Sequence, residues 1–239
     1  MIQTQVISVS FFSYQGNWDK WWAFQQMGLP QMAINRAKGL QFWKMLGSGA
    51  ESGFGLKPNF GAYGMLCVWD NENAARQFFQ ENSGFLKFKT RCEEYWTVFL
   101  QTSKVHGLWS GRCPFEPTIS SDDHTLTAVL TRATIKYRHL LNFWQHVPKV
   151  SQSIENRKGL IFSIGVGELP LVQQATFSLW ESARDMMDYA YRSHYHKEVV
   201  QKTRKLGWYR EEMFARFSPF ATEGSWQGEN PLKKYLQQN

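Results

Sequence analysis

Two histidines separated by one residue, His194 and His196, lie in the stretch "YRSHYHKEVVQKTRKLGWYREEMFARF" from Tyr191 to Phe217. Imidazole binds metal ions and haem iron, and moves protons near neutral pH. Spacing decides whether the two can act together. The residues that follow, Lys197-Glu198, Val199-Val200, then Lys202, Arg204 and Lys205, read as helix. Each helical step turns about 100°, so residues two apart point about 200° apart. On that geometry His194 and His196 cannot share one metal ion. His194 falls with Lys197 and Glu198 on a solvated face, whereas His196 falls with Val199, Val200 and Arg192. Two readings of His196 stand side by side. It is a core-edge histidine satisfied by a hydrogen bond, or it is a single imidazole ligand to an iron porphyrin with Arg192 near a propionate. One histidine suffices for haem, while a bare zinc or iron site needs more ligands. No HExxH, no CxxC pair and no pair of histidines with carboxylates at helical spacing occurs.

Other residues offer chemistry of their own. Arg132 shares a strand face with Leu126, Ala128 and Leu130 in "TLTAVLTRATI", and a charge on an apolar face needs a partner. That partner is a carboxylate of the protein, or a bound anion such as a haem propionate. Gly165 and Gly167 in "SIGVGE" strip side chains from one strand face, which admits a flat ligand or a second backbone. Cys113 beside Arg112 is a candidate thiolate ligand, or an ordinary loop thiol. "GSGAESGFG" from Gly47 to Gly55 lacks GxGxxG spacing, and Pro58 and Asn59 interrupt any following helix. It reads as a loop between strands, so no flavin or nicotinamide site is visible and electrons must come from outside. No GxSxG occurs, which removes the common serine-hydrolase signature.

A weak internal repeat supplies the elements that must position these groups. "NRAKGLQFWKMLGSG" (Asn35 to Gly49) matches "ENRKGLIFSIGVGE" (Glu155 to Glu168), and "AYGMLCVWDNENAARQFF" (Ala62 to Phe79) matches "QATFSLWESARDMMDYA" (Gln174 to Ala190). In the second pair an apolar strand ends in Trp-Asp or Trp-Glu and passes into a helix. Each half reads strand, helix, strand, strand, long helix, a βαββα ferredoxin-like unit. The expected fold is therefore α+β, with two such halves pairing into a pseudo-symmetric domain like a dimeric α+β barrel. The halves span 1–105 and 125–220. The Gly/Pro/Ser/Asp-rich segment 106–124 joins them, and 221–239 runs as an extension over the surface.

Composition narrows the class. The chain has 239 residues, 16% of them aromatic, with eleven tryptophans, enough for a core that also encloses a large apolar ligand. The net charge of +7 suits anionic lipid or an acidic partner protein. No RNP motif, zinc-finger spacing or dense basic block supports nucleic-acid binding. Three widely spaced cysteines argue for a reducing compartment. No signal-peptide pattern or long apolar run occurs, so the expected place is the cytoplasm, peripheral on the inner membrane, with the Trp21-Trp22 pair touching lipid.

"LWSGRCPFEP", "LTRATIKYRHLLNFW", "IGVGELPLVQQATFSLW", "GWYREEMFARF" and "GSWQG", with "FWKMLGSG" and "GFGLKPN" before them, together resemble the spheroidene monooxygenase family of carotenoid pathways. The resemblance runs from the first strand to the Trp226 region. It implies an O2-dependent enzyme that contains haem b, takes electrons from reduced ferredoxin, and places a keto group at C-2 of an acyclic carotenoid by successive hydroxylations. It points to His196, at its spacing from Trp208, as the iron ligand, with no counterpart for His194 and no requirement for Cys113. Arg192 and Arg132 are then the expected haem contacts, and Trp109 and Phe115 the expected lining of a substrate entrance. The rivals are another haem enzyme on the same barrel, such as a haem-degrading monooxygenase or a dehydratase, and a non-enzymatic module that binds haem or an apolar ligand.

Overall fold

The computed structural model describes residues 4–49, 58–120, 122–145, 157–192 and 206–236, without the side chains of Tyr191 and Arg192. His194 and His196 lie outside the described residues. The first half runs β1 (Val6–Ser13), α1 (Asn17–Gln26), α2 (Met32–Asn35), β2 (Leu40–Gly49), β3 (Pro58–Trp69), α3 (Glu72–Glu81), α4 (Ser83–Arg91) and β4 (Glu94–Gly107). The second runs β5 (Thr127–Ile135), a helical stretch over 137–145, β6 (Leu160–Leu169), β7 (Gln173–Trp180), α5 (Ala183–Arg192) and β8 (Tyr209–Gly224). A short helix, α6 (Lys233–Leu236), follows. The fold is the expected α+β barrel. Each half carries one strand more than the sequence pattern predicts, so each is βαββαβ.

All eight strands close into one antiparallel barrel in the order β1-β3-β2-β6-β7-β5-β8-β4. Each half contributes a four-stranded sheet, and the sheets join at two seams. β4 and β8 pair from Trp96–Gly224 to Gly107–Met213. Among the described residues β2 and β6 meet only at Gly47–Gly167 and Ser48–Val166.

The register makes the repeat explicit. Val6 opposes Trp69 where β1 meets β3, and Thr127 opposes Trp180 where β5 meets β7. Both halves bulge at the same place, between Leu40 and Phe42 and between Leu160 and Phe162. The "KGL" glycines, Gly39 and Gly159, both have positive φ, 76° and 77°. Alternate residues of every strand point inward. They form a dry lumen from Ile7, Val9, Phe11, Leu130, Phe177 and Phe217 among others.

Two matching turns close the lumen. "LWSGRCPF" follows β4 and "SWQGENPL" follows β8. In each, a tryptophan bridges to the residue three on, Trp109 to Arg112 and Trp226 to Glu229. Each then sends an apolar side chain into the core after a proline, Phe115 in one and Leu232 in the other. Gly107 (φ 92°) and Gly224 (φ 82°) start these turns. A Cβ on either would come within 2.1–2.2 Å of a carbonyl oxygen of the neighbouring strand, so only glycine fits. The segment after residue 221, expected as a surface extension, is thus partly a barrel plug. Its Leu232 is wholly buried because it repeats the position of Phe115.

Candidate functional site

The lumen is filled, so room for a ligand has to be sought on the outer faces, between each sheet and its helices. In the first half this layer is solid. Asn71 caps α3 and Asn82 caps α4, each accepting backbone N–H bonds. The helices set Phe78, Phe79, Phe85 and Phe88 on the sheet, against Phe12, Met45, Tyr63, Met65 and Trp69. Phe12 lies 5.5 Å from Phe88 and 6.0 Å from Phe85, centroid to centroid. The layer is dry enough to move proton affinities. Burial pushes the Tyr63 hydroxyl up to about 12, and raises the Cys67 thiol as well.

Among the described residues the second half shows that packing at one end. Stepping along the registers from the two tryptophan pairs aligns Phe12 with Ala133, Trp43 with Ser163, Met45 with Gly165 and Met65 with Thr176. At the tryptophan end the packing persists: Trp180 stacks on Tyr189 of α5 at 5.5 Å, where Trp69 meets Phe78 of α3 at 4.7 Å. Ser182 caps α5 by accepting from the amide of Asp185, and Met186 covers Val129 and Trp180. Away from that end the large side chains are gone. Ser10 is 1% exposed, while its counterpart Thr131 is exposed in mid-strand. The Ser163 hydroxyl is buried and finds no hydrogen-bond partner among the described residues. Among the described residues the outer face of the second sheet therefore carries small and hydroxyl-bearing residues, Ala133, Ser163, Gly165 and Thr176, where the first carries large ones.

Comparison with known proteins settles the family. The chain is 36% identical over 97% of its length to spheroidene monooxygenase of Cereibacter sphaeroides, covering 72% of that protein. It is 35% identical over 95% of its length to the spheroidene monooxygenase of Rhodobacter capsulatus, covering 95% of it. The chain belongs to the spheroidene monooxygenase family. A third member, from Rubrivivax gelatinosus, is 32% identical over 80% of the chain and is covered over 73% of its length. No protein-family model matches. Among solved structures, an aldoxime dehydratase aligns over 91% of the chain and 82% of its own with a TM-score of 0.63 at 11% identity. An aldoxime dehydratase in complex with butyraldoxime aligns over 99% of the chain and 86% of its own, also at 0.63, with 9% identity. These two share the barrel fold.

Within this family member the residues singled out from sequence separate. Arg132 points inward, as its strand face required, and its side chain is only 2% exposed. Its partners among the described residues are carboxylates: it donates to Glu211 and, at 3.2 Å, to Glu168. Arg132 therefore faces the lumen, held between two carboxylates. Lys44 joins Glu168 at 2.6 Å, and the Trp109 indole N–H donates to Glu168 at 2.7 Å. Trp109 also lies under the Arg132 guanidinium, 5.6 Å from its centre, and Phe115 packs on Phe217 at 5.2 Å. Both rings are buried in the plug, so they line no open entrance. Cys113 is exposed at the same barrel end, and Arg112 beside it donates to the Gln41 carbonyl. Of the two glycines, Gly167 serves backbone approach: a Cβ there would lie 2.4 Å from the Gln173 carbonyl. Gly165 stands at the register position of Met45.

Sequence reasoning missed the two carboxylates that hold the plugs. Glu211 of β8 accepts from the amides of Ser110 and Gly111 at 3.0 and 2.7 Å. Glu94 of β4, at the equivalent register position, accepts from the amides of Gln227 and Gly228 at 2.6 and 2.8 Å. Burial pushes the Glu211 carboxyl up, but the Gly111 and Ser110 amides and Arg132 outweigh it and hold it below the usual range. Glu94 is likewise held low: burial raises it, and the Ser225 hydroxyl with the Gly228 and Gln227 amides more than compensates. A repeated W-x-G-x-x-P was the available signal. Among the described residues no group of three or more His, Cys, Asp and Glu is placed to hold a metal ion.

Proposed function

We propose that this monooxygenase holds haem b on the outer face of the second half's sheet and oxygenates an acyclic, spheroidene-like carotenoid at C-2, with electrons from a reduced ferredoxin. The observation that carries the cofactor is the exchange of Phe12, Trp43, Met45 and Met65 for Ala133, Ser163, Gly165 and Thr176 at matching register positions. Those four changes remove bulk from one face only, and leave a surface on which a macrocycle can lie. The substrate class rests on the spheroidene monooxygenases that the chain resembles over nearly all its length. His196, four residues beyond the end of α5, is the proposed iron ligand, and Arg192 the proposed propionate contact.

When bound, the haem supplies O2 activation. The protein's part is to hold it, exclude water and present the polyene end. Phe214 and Trp180 give apolar edges to this face, and the Ser163 and Thr176 hydroxyls offer hydrogen bonds on it. Each round consumes one O2, two electrons and two protons. One oxygen enters a C–H bond and the other leaves as water. A second round at the same carbon gives a geminal diol, which loses water to the ketone.

The test is a visible spectrum of the full chain purified with ample haem, followed by turnover of an acyclic carotenoid under labelled O2. His196→Ala is expected to lose the Soret band or shift it strongly and to abolish turnover, while His194→Ala does neither. Arg192→Ala should weaken haem retention by roughly 1.5–3 kcal/mol. Haem loss on His194→Ala alone would overturn the ligand assignment. A colourless protein that still oxygenates the carotenoid would overturn the cofactor.

A further inference from the structure

We infer that the outer side of α1, with Phe60 at the start of β3, is a docking surface for an anionic lipid bilayer. Trp18, Trp21 and Phe24 follow one another at three-residue steps and so run down one side of α1. Trp18 is 84% exposed, Trp21 55% and Phe24 44%. The rings form a continuous strip: Trp21 lies 5.8 Å from Phe24, and Phe24 lies 5.5 Å from Phe60. Leu29 and Met32, next along the chain, are exposed too. Half of the exposed large apolar side chains among the described residues therefore fall in this one segment and Phe60. Scattered apolar residues need no explanation, but a contiguous strip of this kind marks an interaction surface.

The other side of α1 is already satisfied. Ala23 is buried, and Trp22 packs on Phe88 at 5.1 Å with the Arg91 guanidinium 4.9 Å from its ring. Of the tryptophan pair expected from sequence to meet lipid, only Trp21 is available, and Trp18 joins it.

Charge selects the occupant. The segment 17–38 carries Lys20, Arg36 and Lys38, with Arg36 and Lys38 exposed. Its one acid, Asp19, is engaged by Arg91 at 3.2 Å. Apolar rings on a segment whose cations outnumber its acids match a surface that is apolar within and negative at its headgroups. A second copy of the same chain would bring like charge against like charge. Trp and Phe are also the side chains that settle at the headgroup level of a bilayer. No helix of the described residues is long and apolar enough to cross a membrane, so the contact is a surface one.

The test uses the full chain and vesicles of phosphatidylcholine, with and without phosphatidylglycerol. The wild type should sediment with the anionic vesicles at low salt, with a blue shift of tryptophan emission. Trp18→Ser/Trp21→Ser/Phe24→Ser should lose at least tenfold in vesicle affinity, with circular dichroism and haem titration unchanged. Arg36→Gln/Lys38→Gln should erase the preference for phosphatidylglycerol while leaving weak binding to both vesicles. A triple variant that binds like wild type overturns the proposal. So does a wild type that ignores vesicles and forms a dimer which the triple variant breaks. Because haem titration is read in the same samples, failure here is distinct from failure of the cofactor assignment.

Discussion

Between sheet and helices of the first half stand Phe12, Met45 and Met65. At the same register positions of the second half stand Ala133, Gly165 and Thr176. The strand plan, bulges and turns are shared, so the backbone does not account for the difference. Side-chain volume does. One face has become a second hydrophobic core that stabilises the barrel, and the strands of the other carry smaller side chains at the matching positions. On the reading proposed above, one copy holds the structure and the other holds the ligand. The two lumen plugs diverge in the same way. Trp226 lies 6.0 Å from Phe11, whereas Trp109 lies under Arg132, which occupies the register position of Phe11. The lumen is closed by aromatic contact at the Trp226 turn and by an ionic cluster at the Trp109 turn.

The largest effect that would sharpen this contrast is on stability. Phe12→Ala should cost about 3–5 kcal/mol in urea unfolding, since it opens a cavity in a packed layer. Ala133→Gly, the matching trim in the second half, should cost about 1 kcal/mol. Equal costs would mean that the second face is packed as tightly as the first. Next come the plug carboxylates. Glu211→Ala should cost about 3 kcal/mol, because it also strips a partner from the buried Arg132. Glu94→Ala, which releases only amides and a hydroxyl, should cost about 1–2 kcal/mol.

Acid should report on both plugs together. Glu94 and Glu211 are held below their ordinary value of 4.5. A depressed carboxylate contributes stability that is fully present above the unfolded value. That stability is lost as pH falls through the folded one. Thermal unfolding should therefore drop as pH falls below about 4.5, and Glu94→Gln/Glu211→Gln should flatten that slope. A double variant with the wild-type acid slope would remove the plugs from the account. Thiol labelling gives a gentler comparison. Thr131→Cys should react at least about a hundredfold faster than Ser10→Cys, which reacts only after local opening, and added hemin should slow the first alone.

Much of this was legible in the chain. The "KGL" and Trp-Asp/Trp-Glu landmarks gave the duplication, because turns and strand ends constrain few residues strongly. Period-two alternation put Arg132 with Leu126, Ala128 and Leu130, which is the face the barrel turns inward. Alternation cannot say which face is inside, so it left the choice between carboxylate and propionate open. Closure of the barrel shows that this face turns inward, with Glu211 and Glu168 beside Arg132. The fourth strands, β4 and β8, escaped notice because each lies beyond a helix and mixes polar with apolar residues, as in "EYWTVFLQTSKVHG". The plug turns were hidden for a related reason. They share only Trp, Gly and Pro, while their clamps, Glu211 and Glu94, come from the opposite half. Gly165 was visible as a missing side chain. Its meaning emerged only beside Met45, a comparison that needs the register.

The most direct test of that division of labour is a hemin titration followed at the Soret band, with wild type beside Gly165→Met and Met45→Gly. Gly165→Met writes the first half's residue onto the second face and should lower hemin affinity at least tenfold, about 1.4 kcal/mol or more, in a protein that still folds. Met45→Gly should destabilise the chain and leave hemin affinity as it is. Wild-type affinity in Gly165→Met, or its loss in Met45→Gly alone, would contradict the placement of the cofactor on the second face.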